Sequence, residues 1–298
     1  MSVDLVCADP AFLDLTFVGL DALPAPGEER HAEDLLRSPG GAATVAIGAA
    51  RLGLVSALAS PLGDDAEGAF VRAALVGEGV KLPPRTVART PVTAVMPHDG
   101  ERAMATFYPD EPATLADVAS FAPRAVLTSL TRLDAVPDDT MAYVTAGDAE
   151  ARALAGALLP ERVRSTRALL VNAREARLLS GAEHVADAAL SLAARAGRVV
   201  VTLGPGGALC ATGGDVVQVE GVEVHDVVDT TGAGDLFAAA YIWSDLAGAT
   251  PEDCLRWACL AAALSVRVPT AVAGAQTIEQ LAAAGSERGL AIPGRTTT

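Results

Sequence analysis

The amino-acid sequence predicts an α/β protein in which helices flank both faces of a central, mostly parallel sheet, giving three layers. The first observation is that short apolar runs alternate along the chain with alanine-rich helical patterns, as in strand–helix–strand units. The second is that these apolar runs carry no regular polar position, which is typical of strands buried on both faces. With 298 residues, 51% of them hydrophobic and 4% aromatic, we expect one domain over residues 1–298.

The individual elements follow from these runs. The predicted strands are, in chain order, Val3–Ala8, Leu54–Ser60, Ala125–Ser129, Met141–Thr145, Ala168–Val171 and Arg198–Leu203. The predicted helices between them include Ala42–Leu52, Asp65–Val76 and Ala149–Leu159. In the first of these helices apolar residues recur at i, i+3, i+4 and i+7, and Gly53 follows as the residue expected to end it.

Two segments, residues 12–37 and residues 89–110, interrupt this alternation. The second contains two short runs joined at Asp99-Gly100, a pattern that predicts a β-hairpin. We expect the two segments to form a small β-flap, or lid, over the carboxyl edge of the sheet. The periodicity alone fits an ordinary surface hairpin equally well.

The charge balance narrows the range of partners. The chain has 22 basic and 37 acidic residues and a formal net charge of −15, so phosphate backbones and anionic membrane surfaces are repelled. We therefore expect small-molecule partners, with neither nucleic acid nor membrane among them. Four cysteines show no C-x-x-C pair, and the N-terminal residues show no secretory pattern, which together predict a cytoplasmic protein. These cysteines are Cys7, Cys210, Cys254 and Cys259.

Three common enzyme classes lack their motifs in this chain. A dinucleotide-binding dehydrogenase needs G-x-G-x-x-G after an early strand, and no segment has that spacing. The single lysine, Lys81, is not preceded by the glycine that a Walker A loop requires. No G-x-S-x-G sequence supports a serine hydrolase.

The strongest positive signal lies in residues 227–241, where an apolar strand end meets Asp229, two threonines and a glycine-rich turn. A helix is expected to open at about Gly232, and its first turn presents unpaired N–H groups. Those groups and the helix dipole form an anion site. Asp235 would stand beside the bound anion, where it could accept a proton from an attacking hydroxyl. Helix capping alone explains an aspartate at this position equally well.

A second glycine motif lies between Ser38 and Gly53. Gly40 and Gly41 open a helix of small residues, so the backbone there could approach a polyhydroxylated ligand closely. From the residues alone, a tight turn into a well-packed helix is the favoured interpretation.

Taken together, the two motifs resemble those of the ribokinase-like (PfkB) carbohydrate kinase family. Asp229-Thr-Thr-Gly-Ala-Gly-Asp235 matches the C-terminal signature of that family, and Gly40 to Gly53 resembles the N-terminal one. Further matches in family order are Leu23–Glu28, Leu62–Gly68, Val171–Glu175 and Val201–Ala208. The resemblance implies a ribokinase-like fold and transfer of the γ-phosphate of ATP to a hydroxyl of a small carbohydrate.

The same resemblance assigns roles to individual residues. It makes Asp235 the general base and the amides of Gly232, Ala233 and Gly234 the anion hole. Asn172 and Glu175 match the N-x-x-E motif, in which the carboxylate helps to hold Mg²⁺ through water. The positions expected to bind the nucleotide are Asn172, Thr202, Gly204, Gly234 and Cys259. Asp229 and Thr231 match positions that hold a monovalent cation, such as K⁺, in many members.

On the acceptor side, the resemblance implies that Asp14, Gly40 and Gly41 bind the sugar together with Asp235. Thr44 stands where the family's N-terminal signature normally carries asparagine. A threonine hydroxyl cannot make the pair of bonds that an amide makes, so this motif does not identify the sugar.

Two alternative functions remain open at this point. A nucleoside kinase of the same superfamily would use the same phosphate site, with apolar lid residues stacking the base. A non-catalytic sugar or nucleotide sensor on the same scaffold would bind its ligands without turnover. By analogy with the family, the lid also implies a homodimer.

Overall fold

The computed structural model describes residues 2–98 and 101–294, so the turn predicted at Asp99-Gly100 lies outside the described residues. The strands are β1 (Val3–Cys7), β2 (Ala11–Val18), β3 (Asp34–Gly41), β4 (Ser56–Leu58), β5 (Leu62–Gly63), β6 (Thr86–Val87), β7 (Val92–His98), β8 (Glu101–Phe107), β9 (Pro123–Ser129), β10 (Met141–Thr145), β11 (Ala168–Asn172), β12 (Arg198–Thr202), β13 (Ala208–Thr212) and β14 (Asp215–Val219). The α-helices are α1 (Ala42–Arg51), α2 (Ala66–Gly77), α3 (Leu115–Ala119), α4 (Asp148–Ala153), α5 (Ala173–Ser180), α6 (Val185–Ala196), α7 (Ala233–Leu246), α8 (Pro251–Ser265), α9 (Ala271–Gly274) and α10 (Ile278–Ser286).

The main sheet has the strand order β14-β13-β12-β11-β10-β9-β1-β4. Pairing is parallel from β4 through β12 and antiparallel at β13 and β14. The chain leaves β1 toward β4 on one side and later returns to β9 on the other. A reversal of this kind opens a crevice at the carboxyl ends of the strands, next to β1 and β9.

Each strand of the parallel region contributes to two separate cores. On β11, Ala168 and Leu170 belong to the core shared with α1, α7 and α8, whereas Leu169 and Val171 belong to the core shared with α5 and α6. The strands are therefore buried on both faces, and the predicted three-layer α/β architecture is confirmed. Among the described residues, no helix combines the length and the apolar character needed to span a bilayer.

One predicted helix is much shorter than expected. The sequence pattern suggested a helix over Ala149–Leu159, but α4 ends at Ala153 and turns follow it. Gly156 adopts a φ of 72°, which a right-handed helix does not allow. Leu158, near the end of the predicted span, is 89% exposed.

A small second sheet takes its strands from both of the segments that interrupt the alternation. Its order is β3-β2-β7-β8, and the parallel pairing of β2 with β7 joins the first segment to the second. Asp14 on β2 lies opposite Thr93 on β7, which lies opposite Thr106 on β8. On β8, Arg102 precedes Thr106 by an even number of residues, and alternate residues of a strand point to the same face. Arg102 therefore shares one face of the small sheet with Thr106, Thr93 and Asp14.

Helix α7 crosses the interior of the protein, and every residue from Leu236 to Leu246 is buried. Its C-terminal end is fixed by Asp245, which accepts hydrogen bonds from the Tyr143 hydroxyl at 2.5 Å and from the guanidinium groups of Arg167 at 2.8 Å and Arg198 at 3.0 Å. These partners come from three neighbouring strands or the residues just before them. The N-terminal end of α7 therefore has a fixed position at the opposite, carboxyl edge of the sheet.

Replacement of Asp245 by alanine tests this anchor. The Asp245→Ala variant leaves the buried Tyr143 hydroxyl and two arginines without their shared carboxylate, so we expect the free energy of unfolding to fall by about 3–5 kcal/mol. Urea unfolding followed by circular dichroism measures this loss. The control is Arg256→Ala, which removes an exposed pair with Glu252 and should change the free energy by less than about 0.5 kcal/mol. Equal losses in both variants would contradict the anchoring role.

Candidate active site

A cleft of about 410 Å³ opens at the carboxyl ends of the parallel strands, and we call it the strand-end cleft. Its walls include residues at or beyond the ends of β1, β9, β10, β11 and β12, together with the first turns of α1 and α7. Predicted site residues in its lining are Gly41, Asn172, Glu175, Thr202, Gly234 and Asp235. The reversal of strand order beside β1 thus brings together residues that are far apart in the sequence.

Asp235 is partly buried and faces this cleft from the first turn of α7. Burial and, to a lesser degree, the carboxylates of Asp14 and Asp9 raise the pKa of its carboxyl to about 7, and the Arg102 guanidinium opposes the shift. A carboxylate with a pKa near 7 is suited to accept a proton at neutral pH. Asp235 therefore has the position and the basicity of a general base.

The first turn of α7 carries unpaired backbone donors. Gly232, with a φ of 74°, is the N-cap, and no side chain caps the helix. The Ala233 amide, which was predicted to form part of the anion hole, instead donates to the Thr230 carbonyl at 3.3 Å. Among the described residues, the amides of Gly232, Gly234 and Asp235 donate to no acceptor, so they are the free donors of this turn. Three of the unpaired N–H groups that define a helix N-terminus are thus available to an anion.

A second cleft of about 470 Å³ lies between α7, α8 and the glycine-rich turns that follow β12 and β14, and we call it the glycine-turn cleft. Predicted nucleotide-binding residues in its lining are Thr202, Gly204, Gly234 and Cys259. Its wall is otherwise glycine, alanine and valine for the most part, which suits a flat aromatic base. Burial raises the pKa of the Cys259 thiol to about 12, so this side chain is a neutral, apolar part of the wall.

The two clefts meet at the first turn of α7. Thr202, Gly234 and Phe237 line both of them. A Cβ built on Gly234 would have no atom within 4 Å, so the space above this residue is open. An elongated ligand can therefore pass from the glycine-turn cleft over Gly234 toward Asp235.

Asn172 and Glu175 form a capping box at the start of α5. The Asn172 side-chain oxygen accepts the N–H groups of Arg174 and Glu175, both at 2.9 Å, and Glu175 accepts the Asn172 N–H at 2.8 Å. Burial, offset in part by the Asn172 hydrogen bonds and reinforced by the Asp148 carboxylate, raises the pKa of Glu175 to about 7. Only one Glu175 oxygen serves the cap, so the other can face a hydrated cation in the strand-end cleft.

Of the two glycines of the second motif, Gly40 lies against the Asp14 carboxyl and Gly41 lies against Phe12. A Cβ on Gly40 would lie 2.0 Å from Oδ2 of Asp14, and one on Gly41 would lie 2.7 Å from the Phe12 ring. These approaches explain why both positions need glycine. Burial raises the pKa of Asp14 to about 6, and the Arg102 guanidinium limits the shift.

Thr44 is 1% exposed and lies outside the lining of both clefts. Its hydroxyl donates to the Pro39 carbonyl at 3.4 Å, which joins the first turn of α1 to the end of β3. The structure thus places this hydroxyl in local backbone bonding, and its predicted contact with substrate stays a prediction.

Asp229 and Thr231 lie at the junction of the glycine turn with the loop after α8. The Asp229 carboxylate accepts the backbone N–H of Thr231 at 2.8 Å and that of Thr270 at 2.9 Å. The Thr231 hydroxyl is buried and has no partner in the structure. An unsatisfied buried oxygen beside a carboxylate is compatible with a monovalent cation at this place. Among the described residues, no group of three or more His, Cys, Asp or Glu side chains is placed to hold a metal.

Sequence reasoning missed two charged residues near this site. Asp9, just after β1, lines the strand-end cleft and accepts the Ser129 N–H at 2.8 Å, and burial raises its pKa to about 6. Its place directly after the first parallel strand was the available signal. The second is Arg102 of the small sheet, whose Nη1 donates to the Thr230 hydroxyl at 3.4 Å. The pattern of the hairpin gave no indication of which face this arginine occupies.

Comparison with known proteins places the chain in a family. A sequence model described as pfkB family carbohydrate kinase matches residues 1–278. Over 76 residues, the chain is 43% identical to a ribokinase of Arabidopsis thaliana, a match that covers 25% of this chain and 20% of that protein.

Solved structures share the whole fold. An Arabidopsis thaliana ribokinase complexed with ribose and ATP superposes with a TM-score of 0.76 at 25% identity, covering 95% of this chain and 99% of that one. The adenosine kinase of Sinorhizobium meliloti gives a TM-score of 0.77 at 21% identity, covering 97% of this chain and 100% of that one. Because the family match extends over nearly the whole sequence, the protein belongs to the pfkB family of carbohydrate kinases, with a ribokinase-like fold.

Proposed function

We propose that the protein is an ATP-dependent kinase that transfers the γ-phosphate of ATP to a hydroxyl of a small carbohydrate. One observation carries the proposal: the two clefts meet at Gly234, and Asp235 stands at their boundary. ATP in the glycine-turn cleft would direct its terminal phosphate over the N-terminus of α7. An acceptor in the strand-end cleft would then present its hydroxyl to Asp235.

The backbone supplies the phosphate site. Phosphoryl transfer depends on positioning and charge stabilisation more than on covalent chemistry. The free amides of Gly232, Gly234 and Asp235 point from a helix N-terminus, where the dipole adds to their attraction for an anion. Loss of one well-placed donor of this kind typically costs about 3–4 kcal/mol of transition-state stabilisation, so three of them would be a dominant contribution.

Asp235 would accept the proton of the acceptor hydroxyl as the new oxygen–phosphorus bond forms. On the acceptor side, Asp14 and the backbone at Gly40 and Gly41 would bind further hydroxyl groups, since carboxylate and carbonyl oxygens accept hydrogen bonds from a polyol. Asp9 adds a third carboxylate at the base of the strand-end cleft.

Mg²⁺ and K⁺ fit the residues that the family resemblance assigns to them. When Mg²⁺ is bound with the nucleotide, it neutralises charge on the phosphates, and the partly buried Glu175 beside Asn172 would hold it through water. The unpartnered Thr231 hydroxyl next to Asp229 would contribute to a K⁺ site that orders the glycine turn.

The small sheet would act as the lid over the acceptor. It contributes Phe12 to the strand-end cleft and Arg102 to the glycine turn, so its position controls how closed the site is. Closure would exclude water, which otherwise competes with the acceptor for the phosphoryl group. The opposite face of the sheet exposes Leu35 and Phe107 by 48% and 45%, which supports a homodimer through this sheet.

A nucleoside kinase is the second candidate. Phe12, in the wall of the strand-end cleft, lies 6.2 Å from Tyr108 between ring centroids, so an aromatic surface is available to stack a base. The similarity in fold to the Sinorhizobium meliloti adenosine kinase is compatible with this acceptor. A binding-only sensor is the third candidate, although it has no need for a basic carboxylate at the phosphate end of the site.

A substrate screen with a matched variant tests the function. We expect ADP release from ATP with one class among pentoses, hexoses, sugar acids and nucleosides. The Asp235→Asn variant, which keeps the size of the side chain but cannot take the proton, should lower kcat by about 10³-fold or more while ATP binding is retained. Turnover with nucleosides alone would favour the second candidate. Ligand binding without turnover in the wild type would support the sensor, and near-wild-type kcat in the variant would remove Asp235 as base.

The pH dependence follows from the raised pKa of the base. Asp235 must be ionised to accept a proton, so kcat/KM should fall about tenfold per pH unit below the pKa of about 7 and level off above it. In Asp14→Asn, a negative charge that raises the pKa of Asp235 is removed, so the midpoint of the profile should move to lower pH. Profiles at saturating Mg²⁺ measure both. A midpoint near pH 4 in the wild type would show that another group limits the rate.

Two glycines of the same turn give a matched pair of variants. In Gly234→Ala, the methyl group meets no protein atom within 4 Å but enters the passage between the clefts, so the protein should fold with an unchanged or higher Tm and lose most of its activity. In Gly232→Ala, the Cβ would lie 2.1 Å from that of Ala271 at a φ of 74°, so stability itself should fall. Thermal unfolding and ADP release measure the contrast. Full activity in Gly234→Ala would mean that no phosphate passes over this residue.

A further inference from the structure

We propose that Arg102 of the small sheet is a catalytic residue that binds the phosphoryl group while it is transferred. This inference rests on the proposed phosphotransfer and adds a side chain that the signature motifs do not contain. The arginine would supply the cationic contact of a site otherwise built from backbone amides.

The geometry places the guanidinium at the phosphate end of the site. Arg102 Nη1 donates to the hydroxyl of Thr230 at 3.4 Å. Thr230 lines the glycine-turn cleft and lies two residues before Gly232, where the free amides begin. The side chain thus extends from β8, across the space between the small sheet and the main body, to the start of the glycine turn.

The register of the small sheet also places the Arg102 side chain on the face that carries Asp14, the predicted acceptor ligand. The guanidinium opposes the burial-induced rise in pKa of both Asp14 and Asp235, as expected of a positive charge close to both carboxylates. Arg102 therefore stands near the acceptor hydroxyl and the base as well as near the glycine turn.

The positive charge of Arg102 is available for a ligand. Among the residues that the structure describes, neither cleft is lined by an arginine or lysine, and Arg102 makes no ion pair within 4.0 Å. Other arginines nearby are engaged: Arg89 stacks over the Phe107 ring at 4.8 Å, and Arg132 donates to the Tyr108 hydroxyl. The hydrogen bond from Arg102 to Thr230 is long and its acceptor is an uncharged hydroxyl, so an anionic phosphate oxygen would replace that acceptor readily.

The chemistry of transfer explains what this charge would do. The bond between the γ-phosphorus and the bridging oxygen of ADP breaks, the acceptor oxygen bonds to that phosphorus, and the hydroxyl proton goes to Asp235. In a loose transition state, negative charge spreads over the three equatorial oxygens of the phosphoryl group. The α7 amides reach those oxygens from the main body, and the planar guanidinium would reach them from the side of the small sheet. Since Arg102 belongs to β8 of that sheet, full stabilisation would require the sheet to lie over an acceptor.

An acidic acceptor is the competing interpretation. The guanidinium could pair with a carboxylate or phosphate of the sugar instead of the transferred group. We favour the transferred group because the bonded partner, Thr230, belongs to the glycine-turn cleft, and because the acceptor side already presents Asp9, Asp14 and Asp235, which repel an anionic acceptor.

The experiment compares Arg102→Ala and Arg102→Lys with Arg89→Ala, a control whose guanidinium stacks on Phe107, on the opposite face of the small sheet and outside the lining of both clefts. With the acceptor found in the screen, we expect Arg102→Ala to lower kcat by about 10²–10³-fold with KM for ATP changed less than about threefold. Arg102→Lys should lose less, and Arg89→Ala should behave as wild type. Calorimetry should show unchanged ADP binding by Arg102→Ala but weaker binding of ADP with aluminium fluoride and acceptor, which mimics the transferring group.

Several outcomes would overturn the inference. Wild-type kcat and undiminished aluminium fluoride binding in Arg102→Ala would remove the residue from catalysis while leaving the kinase function intact. A rise in acceptor KM at constant kcat, confined to acidic acceptors, would assign Arg102 to the sugar. An equal loss in Arg89→Ala would indicate a general effect on the small sheet. Absence of turnover by the wild type with every acceptor would instead refute the proposed function itself.

Discussion

The site depends on one constraint: helix α7 is buried from Leu236 to Leu246, and only its N-terminal end, as far as Ala238, reaches the two clefts. Asp245 at the other end holds the helix through Tyr143, Arg167 and Arg198, so the free amides at Gly232 and Gly234 have a fixed place and direction. Donors that are fixed in advance need no reorganisation when charge develops on a ligand. The packing of α7 thus connects the stability of the core to the geometry of the anion site.

The carboxyl groups of the strand-end cleft work against stability at neutral pH. Asp9, Asp235 and Glu175 have pKa values raised mainly by burial. A carboxyl group whose pKa in the folded state lies above its unfolded value contributes stability that is fully present below the unfolded pKa and is lost as pH rises through the folded pKa. For these groups the loss falls between about pH 4 and pH 7. The site retains charges that the fold alone would not favour, as is common where catalysis requires them.

The sequence was sufficient for the features that local pattern determines. The alternation of apolar runs with helical patterns predicted the parallel strands. Gly53, expected to end the first helix, follows it with a φ of 90°. The motif around Asp235 predicted a helix N-terminus, and α7 begins there. Sequence analysis did not identify Asp9 or Arg102 as site residues. The strand order brings Asp9 beside segments that are distant in the sequence, and the pairing of β2 with β7 does the same for Arg102. Thr44 shows the opposite case, since its position in a motif did not reveal that its hydroxyl bonds to Pro39.

Backbone amides line the phosphate end of both clefts without any lysine among the described lining residues, and Arg102 reaches only the edge of the glycine-turn cleft, at Thr230. The chain's single lysine, Lys81, is exposed beside β4, and neither cleft includes it among its described lining residues. Reagents that acylate amines, including nucleotide acyl phosphates used to tag ATP sites in cell extracts, need a primary amine near the phosphates. This protein would escape such labelling even with its nucleotide site fully occupied, so surveys of kinases based on amine chemistry would undercount proteins built this way.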